Sequence, residues 1–226
     1  MFSDMFVKLW QQNLFLLGVW QTIYLTVIST VFAYVLGLPL GLLLCVSDKD
    51  GIHPMPVLNK ILSILINAFR SVPFIILMVA MLPVAKFIVG TSLGNKAVIV
   101  TLVIAAAPYV ARMVESSIKE VPFGVIEAAQ SMGASPWQIV WKVLVPEAKP
   151  SLMVGGAISV VTILGYSAMA GFIGGGGLGK VAISYGYYRY QTNIMIVCVV
   201  LLILLVQAFQ SVGTFWANQS DKRLRK

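Results

Sequence analysis

Five apolar runs, each long enough to cross a bilayer, constrain this 226-residue chain more than anything else in it. They cover about residues 19–46, 58–89, 97–114, 152–172 and 193–215. A hydrocarbon core takes roughly 20 residues of helix. Lipid offers no hydrogen bonds, so a spanning run must satisfy its own backbone and becomes helical. The expected fold is an all-α integral membrane protein with five transmembrane helices per chain. Gly37, Pro39 and Gly41 predict a kink near the end of the first run. The second run is amphipathic up to Arg70, and Pro73 and Pro83 lie in its apolar centre. Residues 1–18 read as an aromatic-rich interfacial segment on the external side, and residues 216–226 as a basic cytoplasmic tail.

Charged residues make up 11% of the chain, where a soluble domain carries roughly 25%. A net charge of +8 would suit nucleic acid, but the basic residues sit at the ends of the apolar runs, as membrane topology requires. Lys49, Lys60, Arg112, Lys119, Lys142, Lys149, Lys222, Arg223, Arg225 and Lys226 fall in one set of loops. Lys8, Lys86, Lys96, Lys180 and Arg189 fall in the other, a ratio of ten to five. The richer set is expected to be cytoplasmic, with the N-terminus outside and the C-terminus inside. Cys45 and Cys198 lie within apolar runs and His53 stands alone, so neither a disulfide framework nor a metal site is expected. No catalytic constellation is visible. No cleavable signal is expected either, because the first long run exceeds a signal's apolar core.

Between the third and fourth runs, residues 120–150 form a polar loop with helical periodicity. Pro122 suits a helix first turn, and Gly133 a helix end. Ser135-Pro136 reads as a cap and first residue of a second helix. Trp137, Val140, Trp141 and Leu144 would form one apolar stripe on it. A rigid helix–Gly–helix unit below the membrane can transmit force to a partner, where a floppy loop would absorb it.

The spacing Glu127-Ala128-Ala129, three residues, Gly133, nine residues, then Val143-Leu144-Val145-Pro146 resembles the signature of importer-type permease subunits of ATP-binding-cassette (ABC) transporters. Val143 and Val145 stand where Ile and Leu are usual. The resemblance implies a type I transmembrane domain over residues 19–215, with residues 120–150 as its coupling loop. It also implies that Glu127, Ala128, Ala129, Gly133 and Pro146 contact a separate ATPase, the short helix at Glu127 entering a groove on that subunit.

Gly174, Gly176 and Gly179 satisfy G-x-G-x-x-G, and Lys180 completes part of a phosphate-binding loop. A dinucleotide fingerprint needs a preceding strand in a βαβ unit; these glycines follow a membrane span. The reading is a tight external or re-entrant loop, with ATP and magnesium on the partner and no cofactor on this chain.

The fourth run is the expected lining element of a pathway. Gly155, Gly156, Ala157 and Ser159 permit close helix approach. Tyr166 and Ser167 offer hydroxyls, and Met169 a flexible, polarizable plug. Arg70 and Glu115 are charges near membrane depth. Glu115 lies three residues beyond Arg112, a spacing that suits a structural pair, and Arg70 can snorkel to the interface. Five spans are few for a sealed path; a two-fold dimer supplies ten.

Several segments are similar to the methionine-uptake branch of these permeases: residues 36–41, 69–77, 89–92, 107–108, 111–115 and 165–169. That branch implies a homodimer, a cytoplasmic ATPase dimer, an external methionine-binding lipoprotein, a bacterial inner-membrane location and alternating access. The alternatives are a polar-amino-acid ABC permease and an ATP-independent secondary transporter or channel.

Overall fold

The computed structural model describes residues 13–220, and within them every regular element is helical. The predicted segment at residues 1–18 therefore lies mostly, and the basic tail from Asp221 wholly, outside the described residues. The elements are α1 (Leu14–Val46), α2 (Pro56–Ser71), α3 (Phe74–Ala80), α4 (Leu82–Val89), α5 (Asn95–Lys119), α6 (Phe123–Ser131), α7 (Pro136–Ile139), α8 (Lys149–Met169), α9 (Leu178–Val181) and α10 (Thr192–Ser220). Wider π turns follow α7 at Val140–Leu144 and α9 at Ala182–Tyr187. A tighter 3-10 turn extends α8 through Ala170–Ile173.

Among the described residues, four helices are long and apolar enough to cross a membrane: α1, α5, α8 with its extension, and α10. A fifth is present if α2 and α3 form one broken span. The break is dictated by sequence. Proline disfavours helical backbone in the residue before it, and Val72, which precedes Pro73, is extended (φ −81°, ψ 130°). The second apolar run is thus three helices, α2 to α4, rather than one.

α1 runs as one helix through Pro39, and its glycines serve close approach. A Cβ at Gly37 would stand 2.7 Å from the Cβ of Val110, and one at Gly41 would stand 2.7 Å from that of Val114. α1 and α5 can touch there only because neither position has a side chain. Lipid is as apolar as leucine, so helices in a membrane associate through van der Waals contact and hydrogen bonds rather than through escape from water. Small residues are therefore the adhesive positions.

The chain forms two compact units. The first comprises the chain up to Phe32, Pro73–Ala105 and Val160–Phe209. Its core is Leu25, Met78, Val98, Leu102, Ala170 and Ile173, with Phe15, Val181, Ile194 and Cys198 as a second cluster. The other unit comprises Ala33–Val72, Ala106–Ser159 and the chain from Gln210. Leu44, Ile66 and Ala111 form its core cluster. In the same unit Tyr34 donates to Ser159 Oγ (3.3 Å), and Ser159 in turn donates to the Gly155 carbonyl (2.8 Å). The most hydrophobic stretch of α5 is 61% buried, while that of α10 is 11% buried. α5 is thus the most buried of the four candidate spans and α10 the least.

Candidate functional site

The loop between α5 and α8 is built from local rules. Pro122 caps α6 with extended backbone (φ −59°, ψ 132°). At the other end the Gly133 N–H donates to the Gln130 carbonyl (2.9 Å) and the Ala134 N–H to the Ala129 carbonyl (3.1 Å). That pair of bonds is a Schellman closure, which needs left-handed backbone at the residue after the cap; Gly133 has φ +77°. α7 then starts with a capping box. The Gln138 N–H donates to Ser135 Oγ (3.4 Å), and the Ser135 N–H donates to Gln138 Oε1 (2.9 Å). Pro136 occupies the first turn, where a missing N–H costs nothing. Two helices thus meet at one glycine with their ends satisfied, which makes the loop stiff.

Its surface divides sharply. Ala129, Ile139, Val140 and Leu144 are buried. Glu127, Ala128, Gly133 and Pro146 are exposed. Phe123, Met132 and Trp137 are 59%, 81% and 70% exposed, although they lie outside every candidate span. The predicted stripe of Trp137, Val140, Trp141 and Leu144 does not form. The split is already present before the π turn at Val140–Leu144, since Trp137 is exposed and Ile139 buried. Val140 and Leu144 face inward, while Trp137 and Trp141 pair edge to face on the outside, centroids 5.5 Å apart.

The proposed pathway residues sit at the end of α8. Tyr166 stacks on Phe74 (centroids 4.2 Å, planes 5° apart). Ser167 is buried and donates to the Leu164 carbonyl (2.7 Å), so its hydroxyl is used within its own helix. Met169 is 42% exposed. Arg70 is an exposed residue in the last turn of α2, where a cation suits the helix dipole. Glu115 is buried and accepts from Arg112 Nη1 (2.6 Å) and Lys119 Nζ (2.9 Å). Sequence reasoning paired Glu115 with Arg112 and missed Lys119, whose spacing of four residues was visible, and Asp48, which nothing local connects to α5.

The glycine-rich loop has no phosphate cradle to offer. Its consecutive N–H groups are taken: Gly176 by Asn95 Oδ1 (2.7 Å), Gly177 by Gln21 Oε1 (2.8 Å) and Leu178 by Thr22 Oγ1 (2.9 Å). A nucleotide would need those same donors.

Residues 34–226 match the family described as binding-protein-dependent transport system inner membrane component. The chain belongs to that family. This inner membrane component is 51% identical over 211 residues to the probable D-methionine transport system permease protein MetI of Vibrio cholerae, covering 93% of this chain and 94% of that one. It is 50% identical over 154 residues to the D-methionine transport system permease protein MetI of Escherichia coli, covering 68% and 71%. Among solved structures it superposes on a chain of the MetNI methionine ABC transporter in an inward-facing conformation with a TM-score of 0.89 at 46% identity, covering 91% of this chain and 95% of that one. An amino acid ABC transporter crystallised with histidines shares the fold, at a TM-score of 0.78 and 21% identity over 97% and 98% of the chains. The protein is an importer-type ABC permease with the type I transmembrane fold, and a multi-pass inner-membrane protein.

Proposed function

We propose that this permease is the membrane subunit of an ATP-driven methionine importer, working as a homodimer with a cytoplasmic ATPase dimer and an external binding lipoprotein. The observation that carries the substrate is the near full-length likeness to permeases named for D-methionine transport. The stiff loop of residues 120–150 supports the coupling role. Its Phe123, Met132 and Trp137 are exposed apolar side chains outside the spans, a composition that suits burial against protein. Glu127 and Ala128 lie on the exposed face of α6, and Gly133 holds the turn between α6 and α7. The loop faces the cytoplasm in this reading, with the C-terminus inside, following the excess of basic residues on that side. Met169, exposed at the end of α8, is the pathway plug. ATP and magnesium belong to the ATPase.

The test is reconstitution of the permease with its ATPase and binding protein in liposomes, followed by uptake of labelled methionine. ATP-dependent uptake competed by methionine, but not by histidine or glutamine, is the expected result. ATP-dependent uptake of a polar amino acid instead would retain the coupling reading and replace the substrate. Uptake without ATP would overturn the coupling reading.

A further inference from the structure

Four charged side chains form a continuous ladder where α5 runs into the coupling loop. Asp48, in the turn after α1, lies 2.7 Å from Lys119 Nζ. Lys119 reaches Glu115 at 2.9 Å, and Glu115 reaches Arg112 at 2.6 Å. The far side of Arg112 donates to Asn67 Oδ1 (3.1 Å) and the Ser63 carbonyl (3.4 Å) of α2. Asn59, also on α2, closes the frame by donating to the Leu44 carbonyl (2.7 Å) and Ser47 Oγ (3.1 Å) at the end of α1. The ends of α1, α2 and α5 are thus tied by polar contacts.

Apolar packing does not fill this region. A cavity of about 730 Å³ is lined by Asp48 and Ile52 of the turn after α1, by Lys119, and by Phe123, Ile126 and Gln130 of α6. Displacement of α6 therefore has a gap, not a packed face, between it and the turn after α1. Lys119 lies on the near side of that gap, four residues before α6 begins. Isolated ion pairs at partly exposed positions contribute little to stability, but networks fix geometry.

We propose that the Asp48–Lys119–Glu115–Arg112 ladder is the joint that keeps α1 and α2 in step with the coupling loop, and that Asp48 and Lys119 are positioning residues for transport. This rests on the coupling reading above. Cutting the ladder at Asp48 leaves α6 able to follow the ATPase while the end of α1 no longer follows α6. ATP is then hydrolysed without matching transport.

The experiment measures ATP hydrolysed per methionine taken up by the reconstituted complex, for wild type, Asp48→Asn, Asp48→Glu and Glu127→Lys. Each complex is purified through the permease before reconstitution, so that free ATPase is removed and a loss of assembly does not imitate uncoupling. Asp48→Asn is expected to raise it about fivefold or more, the low end of energetic coupling between sites, and Asp48→Glu to restore it toward wild type. A wild-type ratio for Asp48→Asn, with transport abolished by Glu127→Lys, would overturn the ladder and leave the coupling reading standing. Wild-type behaviour of both variants would overturn the two together.

Discussion

Lys119 Nζ stands 2.7 Å from the Asp48 carboxylate and holds that carboxyl below the ordinary aspartate range, chiefly through the hydrogen bond it donates. The Asp48 side chain is 29% exposed, so solvent screens part of the effect. A carboxyl whose pKa is lower in the folded state adds stability above its unfolded pKa, about 3.9, and loses it as pH falls through the folded value. Thermal unfolding of the detergent-solubilised complex should show wild type above Asp48→Asn at pH 7. The difference should shrink below about pH 4 and close at lower pH. A gap that persists unchanged to pH 3 would mean that the Asp48 charge does not contribute.

Gly133 is the second point of control. Its φ of +77° costs a residue with a Cβ about 1–2 kcal/mol, and a β-branched one more. Space is not the obstacle, since a Cβ there meets nothing within 4 Å. Gly133→Val should therefore unsettle the turn between α6 and α7 and impair ATP-driven uptake while the chain still inserts in the membrane. Gly133→Asn should be milder, because asparagine tolerates this backbone. Equal activity of the two variants would remove the conformational argument.

Asn95 accepts the Gly176 N–H at 2.7 Å and so secures the glycine-rich loop. Asn95→Ala leaves that partly buried donor without its partner, at about 1–3 kcal/mol. The expected outcome is a lower unfolding midpoint and faster amide exchange over residues 174–179. Unchanged exchange would show that Gln21 and Thr22 suffice to hold the loop.

Met169→Asp should block methionine passage while ATPase co-purification stays at the wild-type level, because the change lies at the end of α8, outside residues 120–150. Met169→Leu should retain most uptake, since it keeps apolar bulk. Normal uptake by the aspartate variant would make Met169 a packing residue.

The loop of residues 120–150 was the most legible part of this chain. Pro122, Gly133, Ser135 and Pro136 act through their own backbone or a neighbour three residues away, so their roles follow from order along the sequence. The exposed tryptophans did not follow, because Trp137, Val140, Trp141 and Leu144 have the spacing of one stripe and only the packing decides which of them are covered. The glycine run was recognisable as a loop; that Asn95, Gln21 and Thr22 would occupy its donors was not.

Sequence by itself determined that this chain is helical and lies in a membrane, and where the helix–Gly–helix loop of residues 120–150 falls. These are consequences of hydropathy, length and local backbone rules, which act over a few residues. Tertiary structure decided that Gly37 and Gly41 serve the approach of α5, that Ser167 spends its hydroxyl at home, and that Asp48 meets Lys119. Each depends on which helices become neighbours. In lipid that choice rests on close packing and a few directional polar contacts between distant residues, and neither leaves a periodic mark on the chain.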